Sequence, residues 1–254
     1  MPGAAATWQS NNMPKDIAVV TGASGGIGRA VAKKIHEKSS GELRLALHYN
    51  GNGKAAQALA NEIPESFIVQ ADLSTPQGRE ALLREVMAQG NPFILVNNAG
   101  TDKPHEPALM ITESSFETII SLNLKGPAFL MKDFGKEMAS SGSGVIINIS
   151  SVLARKGLVG SALYRAAKAA LEELTKQFAL ELGPRGVRVN AVAPGFIETA
   201  MTQSISAEIK GEMLSEISLG EFGSPEAVAQ TVCHLIENDY INGAVIPIDG
   251  GMSL

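Results

Sequence analysis

Ile17-Ala18-Val19-Val20-Thr21-Gly22-Ala23-Ser24-Gly25-Gly26-Ile27-Gly28 runs from four apolar residues straight into a cluster of glycines. A short apolar run rich in β-branched residues reads as a buried strand, and glycines immediately after it mark a tight turn. The amphipathic stretch from about Gly26 to Lys38 then reads as a helix. A helix N-terminus at such a turn presents unpaired N–H groups and the positive end of its dipole, a combination that favours a pyrophosphate. Taken alone the glycine spacing differs from GxGxxG, and a glycine-rich loop with no ligand is the alternative reading; the position directly after a first strand strengthens the ligand-binding one.

The alternation continues outward from this segment. Leu43–His48, Phe67–Gln70, Phe93–Val96, Val145–Ile149, Val187–Val192 and Ala244–Pro247 read as further strands. Helices are predicted over Gly53–Ile63, Pro76–Gln89, Glu113–Ala139, Ser161–Leu182, Ala207–Ile217 and Pro225–Asn238, with Pro76 as a helix-start proline. Strands alternating with helix-length crossovers imply an α/β fold with a parallel sheet covered on both faces and ligands at the carboxyl ends of its strands. No linker-like shift in composition divides residues 15–254, so one domain is expected there. Residues 1–14, MPGAAATWQSNNMP, are small and polar and read as a disordered extension.

Composition narrows the function. The 254 residues are 44% hydrophobic and 19% charged, with 21 Lys+Arg against 26 Asp+Glu for a net charge of −5, which is ordinary for a soluble globular chain. The acidic balance and the lack of a dense basic run argue against nucleic acid as a partner, and no window is apolar for long enough to cross a membrane. The single cysteine, Cys233, forms no internal disulfide and suits a reducing compartment, so a cytoplasmic location is expected, with an organelle stroma or matrix as the alternative. The four histidines, His36, His48, His105 and His234, show no ligand-like pairing, so no metal centre is expected.

Tyr164 and Lys168 lie four apart within a helical segment, which places both on one face. A phenol with pKa near ~10 is a poor acid or base at neutral pH, and a close ammonium stabilises its phenolate. By itself such a pair more often is a core or surface tyrosine beside a solvated lysine.

Several motifs in order change that balance. Thr21, Gly22, Gly26 and Gly28 match a TGxxxGxG turn, Asp72-Leu73 follows the third strand, and Asn97-Asn98-Ala99-Gly100 follows the fourth. Pro194-Gly195 with Ile197 and Thr199 follows the sixth, and Ile248-Asp249-Gly250-Gly251 closes the chain. On these residues the sequence, from about Asp16 to Leu254, resembles the short-chain dehydrogenase/reductase family, whose fold is a single-domain Rossmann-type doubly wound sheet. The resemblance implies a nicotinamide cofactor held by Gly22, Ser24, Gly25, Gly26, Ile27 and Gly28, by Asp72 and Leu73 at the adenine, and by Asn98, Ala99 and Gly100. Pro194, Gly195, Ile197 and Thr199 are implied at the carboxamide. It also implies a tetrad of Asn123, Ser151, Tyr164 and Lys168, in which the spacing of 13 to Tyr164 selects Ser151 over the adjacent Ser150. In carbonyl reduction Tyr164 then donates the proton, Ser151 hydrogen-bonds the carbonyl oxygen, Lys168 holds ribose hydroxyls and keeps the phenol acidic, and Asn123 anchors a water.

Cofactor choice depends on the segment after the second strand, where an acidic residue binds a ribose and repels a 2′-phosphate. Leu47-His48-Tyr49-Asn50-Gly51-Asn52 carries none, which favours NADPH over NADH, with Asn50 and Asn52 as donors to the phosphate and His48 either adding charge or serving the structure. Gly25 stands where many NADPH-using members carry a basic residue. Within the family the chain looks most like the 3-oxoacyl-[acyl-carrier-protein] reductases, through Ser121 to Leu124, Val189 to Thr199 and Met201-Thr202. An acyl carrier protein is therefore the implied partner. Arg185 matches one docking arginine, whereas Ser140 to Gly144 is uncharged where a second basic position falls, leaving Lys132, Lys136, Arg155 and Lys156 as a substitute patch. Another ketone or alcohol, an NAD-dependent alcohol oxidation and an inactive cofactor-binding module are the competing readings. Phe129, Met131, Phe134, Leu171, Leu174, Phe178 and Leu182 place apolar groups on more than one face of two long helices, for which the resemblance implies a homotetramer.

Overall fold

The computed structural model describes residues 16–199 and 207–254. The expected disordered extension over residues 1–14 lies outside them, as do Met201 and Thr202 of the reductase-like stretches.

Seven strands are present: β1 Ile17–Val20, β2 Arg44–Tyr49, β3 Ser66–Gln70, β4 Pro92–Asn97, β5 Gly144–Ile149, β6 Val187–Pro194 and β7 Val245–Ile248. All pair in parallel, in the order β3-β2-β1-β4-β5-β6-β7. The order reverses between β1 and β4, and the crevice at their carboxyl ends is where this kind of sheet receives a ligand. The helices are α1 Gly26–Lys38, α2 Gly53–Glu62, α3 Pro76–Met87, α4 Glu113–Ile120, α5 Gly126–Ser141, α6 Ala162–Leu182, α7 Ala207–Ser215 and α8 Pro225–Glu237.

The apolar runs of the strands feed two cores. Ala18 and Val20 face one side with Val31 and Ile35 of α1 and Val228 and Val232 of α8. Ile17 and Val19 face the other with Leu82 of α3, Phe134 of α5 and Leu171 of α6. A strand buried on both faces needs apolar residues at every position, which is why β1 lacks the alternation of a half-exposed strand. Helix starts follow the side-chain chemistry: Thr75 accepts from Gly78 N at 3.0 Å with Pro76 as the first helical residue, and Thr112 with Ser115 forms a reciprocal capping box at α4.

Two expectations need correction. The single helix expected over Glu113–Ala139 is two helices joined by a π-helical turn, Ser121–Lys125. Wide turns of this kind insert a residue without changing composition or overall apolar spacing. Met131, Phe134 and Leu171, read as surplus apolar surface, are fully buried against the chain's own sheet. Phe116 of α4, 46% exposed, Phe129 of α5, 41% exposed, and Leu180 of α6, 72% exposed, are turned outward. Among the described residues no helix is long and apolar enough to cross a membrane.

Candidate active site

The turn after β1 is held by side chains from the segment after β4. Thr21 Oγ1 donates to Val96 O and accepts from the N–H groups of Asn98 and Ala99, both at 2.9 Å. Asn98 Nδ2 returns hydrogen bonds to the carbonyls of Thr21 at 2.9 Å and Gly22 at 3.2 Å. Gly22 adopts φ +65°, and a Cβ on Gly28 would lie 2.4 Å from Gly22 O, so these glycines are required by conformation and by close approach. A Cβ on Gly26 would lie 2.9 Å from Thr199 Cγ2, which brings the segment after β6 over the start of α1. That helix has no side-chain cap at Gly25, so its first N–H groups face the crevice beside Ser24, and Ile27 packs into the core. A glycine cradle with uncapped N–H donors fits a pyrophosphate.

The adenosine side is partly committed to the protein. Asn52 Oδ1 caps α2 by accepting from Ala55 N at 3.1 Å, which leaves its Nδ2 to donate, and Asn50 is exposed. Asp72 Oδ1 accepts from Ser74 N and Ser74 Oγ, while Leu73 is buried. Asn50, Asp72, Ser74, Thr101 and Leu122 line a cavity of about 380 Å³. His48 does not add charge here. Only 2% exposed, it accepts from Gly22 N through Nδ1 and bonds Ala71 O through Nε2, and burial lowers its pKa, with the Ala71 bond and the Asp72 charge opposing. It is a neutral structural residue.

Across the crevice, Gly195 N donates to Ile248 O at 2.9 Å, and a Cβ on Gly195 would lie 2.8 Å from Asp249 Cα. The Asp249-Gly250-Gly251 segment therefore packs directly on Pro194-Gly195, while Ile197 is buried and bridged to Gly223.

Asn123 and Lys168 approach each other at Gly100. Asn123, fully buried in the π-helical turn, donates to Thr101 O at 2.8 Å and Ile119 O at 2.9 Å and accepts from Thr101 N at 3.2 Å. Both of its amide protons are thus committed, so a water would find the second lone pair of Oδ1 or the backbone carbonyl. A Cβ on Gly100 would stand 2.6 Å from Asn123 Oδ1 and 3.7 Å from Lys168 Nζ. Lys168 Nζ donates to Ile149 O at 2.7 Å and lies 5.6 Å from the centre of the Tyr164 ring.

The two serines after β5 have different surroundings. Ser150 Oγ donates to Glu172 Oε1 at 2.9 Å, whereas Ser151 Oγ accepts from Leu153 N at 3.2 Å and stands close enough to Tyr164 to favour its phenolate. Electrostatics departs from expectation. Burial pushes the Tyr164 phenol up to about 12, partly offset by the Ser151 bond and reinforced by Asp102. Burial lowers Lys168 to about 8. In the chain alone, desolvation of the phenol outweighs the help expected from the neighbouring lysine.

Sequence reading missed Glu172. It is buried beneath the site and accepts from Ser150 and from Arg155 Nη2 at 3.1 Å. Its signal was a charged residue four after Lys168, on the same helix face. Of the four residues of the substitute basic patch, Arg155 pairs with Glu172, and Lys156 with Glu216 at 3.2 Å and Met252 O at 3.1 Å. Arg185, by contrast, is exposed at the end of α6 rather than packed there.

The family model described as enoyl-(acyl carrier protein) reductase matches residues 22–253. A 3-oxoacyl-[acyl-carrier-protein] reductase, FabG, of Staphylococcus aureus is 39% identical over 242 residues, covering 92% of this chain and 97% of the relative. The chain is a short-chain dehydrogenase/reductase. The corresponding reductase of Aquifex aeolicus is 38% identical to this short-chain dehydrogenase/reductase over 244 residues, 93% of the chain and 96% of the relative. Carbonyl reductase family member 4 of Xenopus laevis is 37% identical over 240 residues, 94% and 98% respectively. This short-chain dehydrogenase/reductase is accordingly an oxidoreductase with the parallel seven-stranded sheet described above.

Proposed function

We propose that the enzyme reduces the keto group of a 3-oxoacyl thioester carried on an acyl carrier protein, with NADPH as the reductant. The observation that carries this reading is the convergence of Ser151, Tyr164, Lys168 and Asn123 beside a glycine cradle suited to a pyrophosphate. A bound nicotinamide supplies hydride to the carbonyl carbon. Tyr164 donates its phenolic proton to the carbonyl oxygen as charge develops there, and the Ser151 O–H donates to the same oxygen, a contact of most value where it is set before reaction. Lys168, buried with Nζ anchored on Ile149 O, holds its ammonium near the phenolate that forms and stabilises it. The high phenol pKa in the chain alone keeps the proton on Tyr164 at neutral pH, which is the state an acid needs.

NADPH is favoured over NADH because no carboxylate follows β2 and Asn50 and Asn52 retain donors there. Arg185 is the docking group for the carrier protein, and assembly is as a homotetramer through α5 and α6. A second reading, reduction of another ketone without a carrier protein, is favoured by the commitment of Arg155 and Lys156 to Glu172 and Glu216. The naming of one relative as a carbonyl reductase supports the same alternative.

Initial rates of NADPH and NADH oxidation, with acetoacetyl groups on carrier protein and on coenzyme A, separate the readings. Faster turnover of the carrier-protein thioester with NADPH, lost in Arg185→Glu, supports the first. Equal rates on both carriers, or activity confined to small ketones, supports the second.

A further inference from the structure

We propose that His48 is a positioning residue for the cofactor, a bracket that sets the pyrophosphate turn against the adenine-side loop. The inference rests on the nicotinamide-binding reading above and adds a buried residue whose ring nitrogens are both bonded to backbone groups.

The geometry is a three-way tie. The His48 main-chain carbonyl accepts from Ala23 N at 2.9 Å, and its ring Nδ1 accepts from Gly22 N at 3.1 Å, so one residue of β2 holds two successive N–H groups of the turn after β1. Ring Nε2 lies 3.0 Å from the carbonyl of Ala71, the residue before Asp72. The partners fix the tautomer: a backbone N–H only donates and a carbonyl only accepts, so Nδ1 is bare and Nε2 carries the proton. The ring is buried, and among the described residues no other side chain supplies Gly22 N with an acceptor. Protonation of Nδ1 turns that acceptor into a donor facing a donor, and the turn loses its tie.

The surroundings decide where this happens. Desolvation favours the neutral ring, while the Ala71 bond and the Asp72 carboxylate favour the imidazolium, and desolvation dominates. The turn after β1 brings no ionisable side chain, and Arg29, the first on α1, pairs with Glu62. Neutral His48 is therefore the state at pH 7, and the tie fails only below the ordinary histidine range.

The test is a fluorescence titration of NADPH, with no substrate, onto the full chain at pH 7.5 and pH 5.0. Wild type is compared with His48→Asn, whose Oδ1 replaces the acceptor without titrating, and with His48→Phe. Circular dichroism monitors the fold of each. The expected result is near wild-type affinity for His48→Asn at pH 7.5, and a loss of affinity on acidification that is larger in wild type than in His48→Asn. His48→Phe, if folded, binds weakly at both pH values. Equal acid losses in wild type and His48→Asn, or full affinity in His48→Phe, overturn the proposal while leaving the cofactor reading intact. No binding by wild type at either pH, with NADH also tried, overturns both.

Discussion

Lys168 is a cation placed where water is scarce, and its behaviour is set by that burial. Its pKa in the folded chain falls from 10.5 to about 8, so between those values the unfolded chain binds more protons than the folded one. Stability therefore rises with pH across that window, and below pH 8 the buried charge costs on the order of 3 kcal/mol. Replacing the lysine with methionine removes the titration. Denaturant unfolding of wild type and Lys168→Met from pH 7 to 10 is expected to show wild type gaining stability relative to the variant as pH rises. A constant difference over that range would contradict the burial argument. The Tyr164–Lys168 pair was legible as a spacing on one helix face. The raised phenol pKa was not, because burial depends on which other chain segments cover the ring. A lone histidine at a strand end gave no hint of its partners either, since Gly22 and Ala71 are 26 and 23 residues away in sequence.

At the scale of elements, the π-helical turn between α4 and α5 does what a continuous helix cannot, directing Asn123 to the segment after β4. Three backbone groups, Thr101 N, Thr101 O and Ile119 O, depend on that one side chain. Asn123→Ala is expected to cost about 2–3 kcal/mol of stability, because buried polar groups lose their partners. It should also reduce turnover by loosening Gly100 and Thr101 beside Lys168. Chemical denaturation together with steady-state rates checks both, and a variant of unchanged stability would mean that water replaces the amide at little cost. Strand and helix identities were legible from period and punctuation, with ends shifted by one or two residues. The interruption at Ser121–Lys125 was hidden because Ser-Leu-Asn-Leu-Lys is equally compatible with an α-helix and is widened only by the tertiary bonds of Asn123.

The whole molecule covers both sheet faces with apolar cores and leaves a crevice at the carboxyl ends of β1 and β4, where the strand order reverses. That architecture followed from the regular alternation of buried strands and amphipathic helices, which leaves few other ways to satisfy both faces. Assembly was less legible, since Met131, Phe134 and Leu171 serve the interior and the outward face reduces to Phe129, Leu180 and partly buried neighbours such as Phe178. The homotetramer reading predicts a light-scattering mass about four times the 26.6 kDa chain, and a shift to smaller species in Phe129→Glu. A monomer at micromolar concentration would exclude it.

The central claim is that Tyr164 delivers the proton in a ketone reduction driven by a bound nicotinamide. Its most direct test compares Tyr164→Phe with wild type, measuring NADPH affinity by fluorescence and turnover on an acetoacetyl thioester. Retained fold and affinity with turnover reduced about 10²–10⁴-fold is the predicted result. Turnover within a few-fold of wild type would contradict the account.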